Sequence, residues 1–355
     1  MVPTFDTIVI GGGQAGLAAG YYLRRAALSF TILEAGARPT GSWPQYYDSL
    51  TLFSPARYSS LPGLPFPGPP GHYPARDEVV AYLAAYATHF QLPVATNTRV
   101  ETVERIGDRF RIVASSGERY VARTVIAATG SFHRPYIPRL PGQAAFGGHI
   151  LHSSAYRNPD PFGDRRVVVV GAGNSAVQIA VELARYADVT LATRKPLRFT
   201  NQRILGRDLH FWLWLTCIER LPLGRWSPLR EANPVLDTGV YRAALAAGRP
   251  DRCPMFSAFH PDGVVWADGD GETVDVVLFA TGYRPNLDYL KPIGAVDSTG
   301  HARQRGGVSL VTPGLYYVGL AAQRTFASAT LRGVGADAAF VVDRVRRYLR
   351  AQRGR

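Results

Sequence analysis

Apolar residues in this chain fall into short blocks, each ended by a glycine-rich turn and followed by a stretch with helical spacing. Thr7-Ile8-Val9-Ile10 is the first, running into Gly11-Gly12-Gly13 as a buried strand enters a tight turn. Ala15 to Arg25 then carries good helix formers, and Phe30 to Leu33 predicts a second strand ending at Glu34. Residues 36–76 hold proline, glycine and aromatics without a sustained period. Asp77 to Phe90 predicts a helix with two acids in its first turn, which suits the helix dipole. Blocks at 110–114, 119–122 and 124–127 predict a small meander that ends in Ala128-Thr129-Gly130.

The plan then repeats. Arg166 to Val170 predicts a strand, Gly171-Ala172-Gly173 a turn, Asn174 to Arg185 a helix and Asp188 to Ala192 a strand. A second meander, through 264–266 and 274–280, ends in Ala280-Thr281-Gly282. The two copies are offset by 160 residues, and the tail adds a strand at 315–318 and a helix over about 336–352. The pattern predicts an α/β protein with two Rossmann-like dinucleotide-binding domains in tandem, each carrying a small antiparallel β-meander.

Composition narrows the partners. With 355 residues, 46% apolar and 19% charged, the chain has room for two ordinary cores. The net charge of +13 comes almost wholly from arginine, since Lys195 and Lys291 are the only lysines. Apart from the C-terminal tail around Arg344, Arg346, Arg347 and Arg350, these arginines are scattered, which speaks against nucleic acid and for steering an anionic small molecule. No apolar run reaches the ~18 residues of a membrane-spanning helix, so no integral membrane segment is expected. The opening residues carry no basic leader, and Cys217 and Cys253 form no CxxC; a reducing, cytoplasmic setting follows as the expectation. The same cysteine spacing argues against disulfide-reductase chemistry of the thioredoxin reductase kind.

Gly11-x-Gly13-x-x-Gly16 sits where phosphate-binding chemistry needs it, after a strand and opening a helix. The first glycine permits the turn, the second lets a pyrophosphate approach, and the third lets helix and strand pack. Glu34 follows 21 residues after Gly13, placed to accept from ribose hydroxyls. The second copy, Gly171-Ala172-Gly173-Asn174-Ser175-Ala176, has Thr193-Arg194-Lys195 where the first has its acid. A carboxylate there would repel a 2′-phosphate that a guanidinium can grip, so NADPH is expected over NADH.

At this point the chain resembles a flavin-containing monooxygenase of the single-component FAD/NADPH type. Residues 146–156 fit that family's FxGxxxHxxx(F/Y) linker, Thr40-Gly41-Ser42-Trp43 is similar to its G-G-x-W segment, and Phe279 to Tyr283 match its FATGY strand. The short length and residues 323–333 look most like a compact bacterial branch often associated with arsenic or metal resistance. The resemblance implies an FAD domain of residues 1–160 plus 285–355, with an NADPH domain, 161–284, inserted. It implies that Gly11, Gly13, Gln14, Ala15, Gly16, Glu34, Ser42, Trp43, Val100, Thr129 and Gly130 hold FAD, with Gly319, Thr330 and Leu331 closing over the ring. Gly171, Gly173, Asn174, Ser175, Ala176, Thr193, Arg194, Lys195, Thr281 and Gly282 would serve NADPH. Ser54 and Gln323 would stand beside the reacting flavin; at Ser54 the family often carries asparagine.

The resemblance further implies that NADPH reduces FAD and the flavin captures O2 as a C4a-hydroperoxide. A small-molecule sulfur, nitrogen or arsenic atom then takes the distal oxygen. The linker ends Tyr156-Arg157-Asn158 rather than in the tryptophan of Baeyer–Villiger relatives, against ketone insertion. Because a serine hydroxyl cannot reproduce an amide's paired donor and acceptor, an NADPH oxidase or electron-transfer flavoprotein stays open as the alternative. A nucleotide-sensing protein is a weaker third reading. His149 and His152 have no further ligand beside them, so linker hydrogen bonding is expected and no metal. The apolar stretch 209–218, with Arg203, Arg207, Arg220 and Arg225 around it, reads as a buried helix, a pocket wall, a membrane contact or a homodimer contact.

Overall fold

In the computed structural model, residues 3–220 and 234–354 are described. Arg225 lies outside them. The first glycine turn joins β1 (Thr4–Ile10) to α1 (Gln14–Arg25), and β2 (Phe30–Leu33) follows. β2 pairs in parallel with β1, Thr7 opposite Phe30 and Ile10 opposite Leu33. Beyond α2 (Arg76–His89) come β3 (Val94–Ala95), β4 (Val100–Ile106), β5 (Arg109–Ala114) and β6 (Arg119–Ala127). The strand Leu315–Tyr317, β6, β1, β2 and β3 form the parallel centre of a nine-stranded sheet. β4 and β5 fold off β6 as an antiparallel pair.

Two sequence expectations change here. The blocks at 119–122 and 124–127 are one strand, because β6 runs unbroken alongside both β1 and β5. β4, whose polar–apolar alternation is loose, is the meander strand that the pattern left out.

The second sheet has the order Asp251–Pro254, β9 (Asp188–Thr193), β8 (Arg166–Val170), Val276–Phe279, β7 (His149–His152), all parallel. α3 (Asn174–Leu183) packs on it after the second glycine turn. β7 joins this sheet although it lies upstream of residue 161, because its apolar residues pair with the buried strand Val276–Phe279. The meander of this half is the antiparallel trio Ala258–His260, Gly263–Val265 and Gly271–Thr273.

α4 (Leu209–Thr216) and α5 (Val240–Ala246) extend the second half, and α6 (Leu331–Arg353) closes the chain. α4 is not a buried core helix: only His210 is buried along it, while Trp214 and Leu215 are exposed. α6 begins at 331 rather than about 336. Gly333 and Gly335 conceal its first turn from apolar periodicity, yet tight packing demands them. A Cβ at Gly333 would lie 2.1 Å from Ala327 O, and one at Gly335 2.6 Å from Pro62 Cγ. Among the described residues no helix is long and apolar enough to cross a membrane.

Candidate functional site

The first glycine turn opens on a cavity of about 340 Å³, within the range of ligand pockets. Fourteen of the residues expected to serve the flavin line it: Gly11, Gly13, Gln14, Ala15, Glu34, Ser42, Trp43, Ser54, Val100, Thr129, Gly130, Gly319, Thr330 and Leu331. They come from eight separate stretches of chain, four of which follow the parallel strands β1, β2, β6 and Leu315–Tyr317.

The three glycines differ in what they permit. Gly11 has φ +107°, and a Cβ there would lie 2.6 Å from Ala128 O; a Cβ at Gly16 would lie 1.8 Å from Gly11 O. These two let β1, α1 and the end of β6 close together, so Gly16 lies outside the cavity and acts through packing. A Cβ at Gly13 would meet nothing nearer than Gly41 Cα at 3.5 Å. Its bareness is not demanded by protein neighbours, and it faces the cavity. Gly13 caps α1, with no side-chain cap and no acid in the first turn. The helix N–H groups are left to an anion.

Glu34 is buried, accepting from Gly12 N at 2.5 Å and Gly36 N at 2.7 Å. Gln14 bridges two walls: Nε2 donates to Ala329 O at 2.7 Å, and Oε1 accepts from Trp43 Nε1 at 3.1 Å. Ala329 precedes α6, whose N-cap Thr330 makes no side-chain cap bond, so a second helix N-terminus meets the cavity. Thr129 Oγ1 donates to Asn286 O at 2.7 Å, tying β6's end to the tail.

Ser54 is buried in the cavity wall, its hydroxyl 2.8 Å from Ser59 Oγ. Ser59 Oγ also lies 3.0 Å from the carbonyls of Ser54 and Pro55. With the Ser59 proton on one of those carbonyls, the Ser54 proton goes to Ser59 and is not offered elsewhere. Gln323 does not line the cavity. It is buried, with Nε2 donating to Tyr317 O at 2.8 Å and Oε1 accepting from Leu320 N at 3.3 Å. Both ends of its amide are spent on holding the turn after Leu315–Tyr317, so the expected place beside the flavin is corrected to a positioning role.

Sequence reasoning missed Tyr46, Phe132, His133 and Tyr289, all in the lining. Tyr46 and Phe132 stand in an aromatic row, Trp43–Tyr46–Phe132–Tyr283–His152, with successive centroids 5.4, 4.6, 5.4 and 4.8 Å apart. Their signal was adjacency: Tyr46 follows Trp43 by three residues, and Phe132-His133 follow Thr129-Gly130. Burial, and secondarily Arg99, lowers the His133 pKa.

The row reaches the second half at Tyr283 and His152, beside Gly282. Burial also lowers the His152 pKa; its Nε2–H donates to Gly282 O at 3.0 Å, while Nδ1 accepts from Ser154 N at 3.1 Å. This is linker hydrogen bonding, and no metal-ligating cluster occurs among the described residues. Thr281 Oγ1 donates to Tyr136 O. Gly173 caps α3 without a side-chain cap or first-turn acid, so Ser175 and Ala176 lie in an open first turn. Asn174 Oδ1 accepts from Leu236 N at 3.2 Å. Gly171 has φ +148° beside Ala280 O. Thr193 is buried at the end of β9, and Arg194 and Lys195 beyond it are exposed. This arrangement repeats the first half with cations in place of Glu34.

The pyridine nucleotide-disulphide oxidoreductase family matches residues 8–214. The CzcO-like oxidoreductase of Geobacillus kaustophilus is 34% identical over 95% of this chain and 97% of its own length. Indole-3-pyruvate monooxygenase YUCCA4 of Oryza sativa is 30% identical over 94% of this chain and 86% of its own. The structure of a flavin-containing monooxygenase from Stenotrophomonas maltophilia superposes with a TM-score of 0.87 at 38% identity, covering 98% of this chain and 100% of that one. The chain belongs to the pyridine nucleotide-disulphide oxidoreductase family, among its flavin monooxygenases, and is a flavin-dependent oxidoreductase that uses a pyridine nucleotide.

Proposed function

We propose that this enzyme uses FAD and NADPH to place one atom of O2 on a soft heteroatom, sulfur, nitrogen or arsenic, of a small molecule. The observation that carries this reading is the first cavity. It joins an uncapped helix N-terminus, a buried acid 21 residues on, and a second helix N-terminus tied to the first through Gln14 and Ala329. An anion cradle with an acid beside it and further wall for a ring suits the parts of an FAD. Bound flavin supplies hydride acceptance and activation of O2.

The chain's own residues orient and enclose. Gly13 and the α1 N-terminus take the pyrophosphate, and Glu34 the ribose hydroxyls. Trp43, fixed by Gln14, covers one wall with Tyr46 and Phe132, which excludes water. Ser54 sits near the ring end as an acceptor, its proton engaged with Ser59. In the second half, the α3 N-terminus takes the pyrophosphate of NADPH, and Arg194 with Lys195 its 2′-phosphate. His152 links Gly282 of that half to the aromatic row of the other.

The FAD domain would comprise residues 1–160 and 285–355 and the NADPH domain 161–284, with β7 crossing to the second sheet. The two lone cysteines fit a reducing compartment, and we place the protein in the cytoplasm. The test is to release and identify the flavin of the purified protein, then compare NADPH consumed with sulfoxide or N-oxide formed from thioether and amine probes. Matched amounts support the reading. Peroxide equal to NADPH consumed, whatever the probe, favours the oxidase alternative that the serine at 54 keeps open.

A further inference from the structure

Behind Phe53 lies a second cavity, of about 500 Å³, which neither glycine turn explains. It sits between α4, the loop at 57–60 and the start of α6. Three polar groups on its wall lack partners among the described residues. His210 is 2% exposed; its Nδ1 lies 2.8 Å from Asp208 Oδ1, and its Nε2 is buried with no partner. Arg332 spends Nε and Nη2 on Glu219, at 2.9 and 2.5 Å, which leaves Nη1 buried and unmatched. The third is exposed: among the described residues no hydrogen bond or ion pair claims the guanidinium of Arg57. Buried polar groups without partners are costly, and these two on one wall, with the exposed Arg57 beside them, point to a ligand that supplies partners.

The chemistry of that ligand follows from the lining. Arg57, Arg324 and Arg332 face the cavity against one acid, Glu219, already neutralised by Arg332. Asp337 lies behind Arg324 at 3.3 Å, and Asp208 behind His210. Burial alone would raise the Asp208 pKa, but hydrogen bonds from His210, Tyr73 and Gln202 outweigh it and bring it to about 2. Asp208 therefore stays ionised and accepts the Nδ1 proton of His210, which leaves Nε2 at the cavity wall. Tyr58, Leu213 and Trp214 supply the apolar remainder.

We infer that this cavity binds the substrate of the flavin site as a small carboxylate with an apolar body, gripped by Arg57 and Arg332 Nη1. The assignment of substrate rests on the flavin reading above. Phe53 connects the two linings: it lines the first cavity, stacks on His210 of the second with centroids 6.0 Å apart, and lies under Arg332 at 5.6 Å. Leu331 faces the first cavity and Arg332 the second. The guanidiniums hold the carboxylate at the outer end, Nε2 of His210 pairs with a polar atom of the ligand, and the apolar body points toward Phe53 and the flavin.

The experiment is calorimetric titration of the purified flavin-loaded protein with 3-phenylpropionate and with its neutral match, 3-phenylpropanamide. The carboxylate is expected to bind about tenfold or more tightly, a preference that shrinks with added salt. Arg57→Gln is expected to erase the preference at unchanged flavin content, and Arg57→Lys to restore part of it. Equal affinities, no binding of either probe, or an intact preference in Arg57→Gln would overturn the proposal. Anaerobic bleaching of the wild-type flavin by NADPH, measured alongside, separates the two readings. Bleaching without carboxylate preference defeats this inference alone; carboxylate binding without bleaching defeats the flavin reading and the substrate assignment with it.

Discussion

The indole N–H of Trp43 donates to Gln14 Oε1 at 3.1 Å, joining the loop after β2 to the first turn of α1. Gln14 Nε2 in turn holds Ala329 O, just before α6. One side chain thus sets the spacing of three walls of the first cavity. Gln14→Leu removes both bonds, each worth about 1 kcal/mol. It is expected to weaken FAD retention roughly fivefold or more, read by ultrafiltration of released flavin. Unchanged retention would mean that Trp43 is held by packing alone.

Gly13 and Gly16 separate ligand space from packing. A Cβ at Gly16 collides with Gly11 O, so Gly16→Ala is expected to yield little folded protein. At Gly13 the protein leaves ordinary contact distance. Gly13→Ala is expected to keep the apoprotein's circular dichroism and Tm but to lose FAD affinity by about tenfold or more, since its methyl would occupy the place proposed for the pyrophosphate. If Gly13→Ala binds FAD as the wild type does, the cradle is misassigned.

Arg194 stands exposed after β9, 21 residues beyond Gly173, where the first module has Glu34. A charge-assisted pair with a 2′-phosphate is worth about 1.5–3 kcal/mol. Arg194→Ala is therefore expected to raise KM for NADPH roughly tenfold or more and to leave KM for NADH nearly unchanged. Steady-state kinetics with both nucleotides decide it.

His152 and His133 tie stability to pH. Burial lowers both pKa values below the usual 6.5, so the unfolded chain takes up these protons before the folded one does. Their contribution is full above about pH 6.5 and is lost as pH falls below it, until the folded imidazoles titrate too. Urea midpoints are expected to fall between about pH 7 and about pH 5, and His152→Gln to make that fall shallower. An identical pH slope in the variant would remove His152 from the account.

Much of this was legible in the chain because strand–turn–helix units announce themselves locally. The runs at 7–10 and 166–170, their glycine turns and the helices after them recur in the structure where periodicity places them. What failed depended on distant neighbours. The start of α6 was hidden because Gly333 and Gly335 answer to Ala327 and Pro62, not to an apolar period. Gln323 looked available for chemistry until Tyr317 and Leu320 claimed both ends of its amide. The stretch 209–218 reads as core by composition, yet α4 turns most of it outward and offers His210 to a cavity. No local pattern reveals that cavity, since its arginines come from 57, 324 and 332.

The most direct test of the account is rapid mixing. The purified protein is reduced with NADPH without oxygen and then mixed with aerated buffer, with and without a thioether. The account predicts a long-lived near-ultraviolet absorbance before oxidised flavin returns, shortened by the thioether as sulfoxide forms. Immediate return of oxidised flavin with an equal amount of peroxide, in the presence of thioether as in its absence, would contradict it.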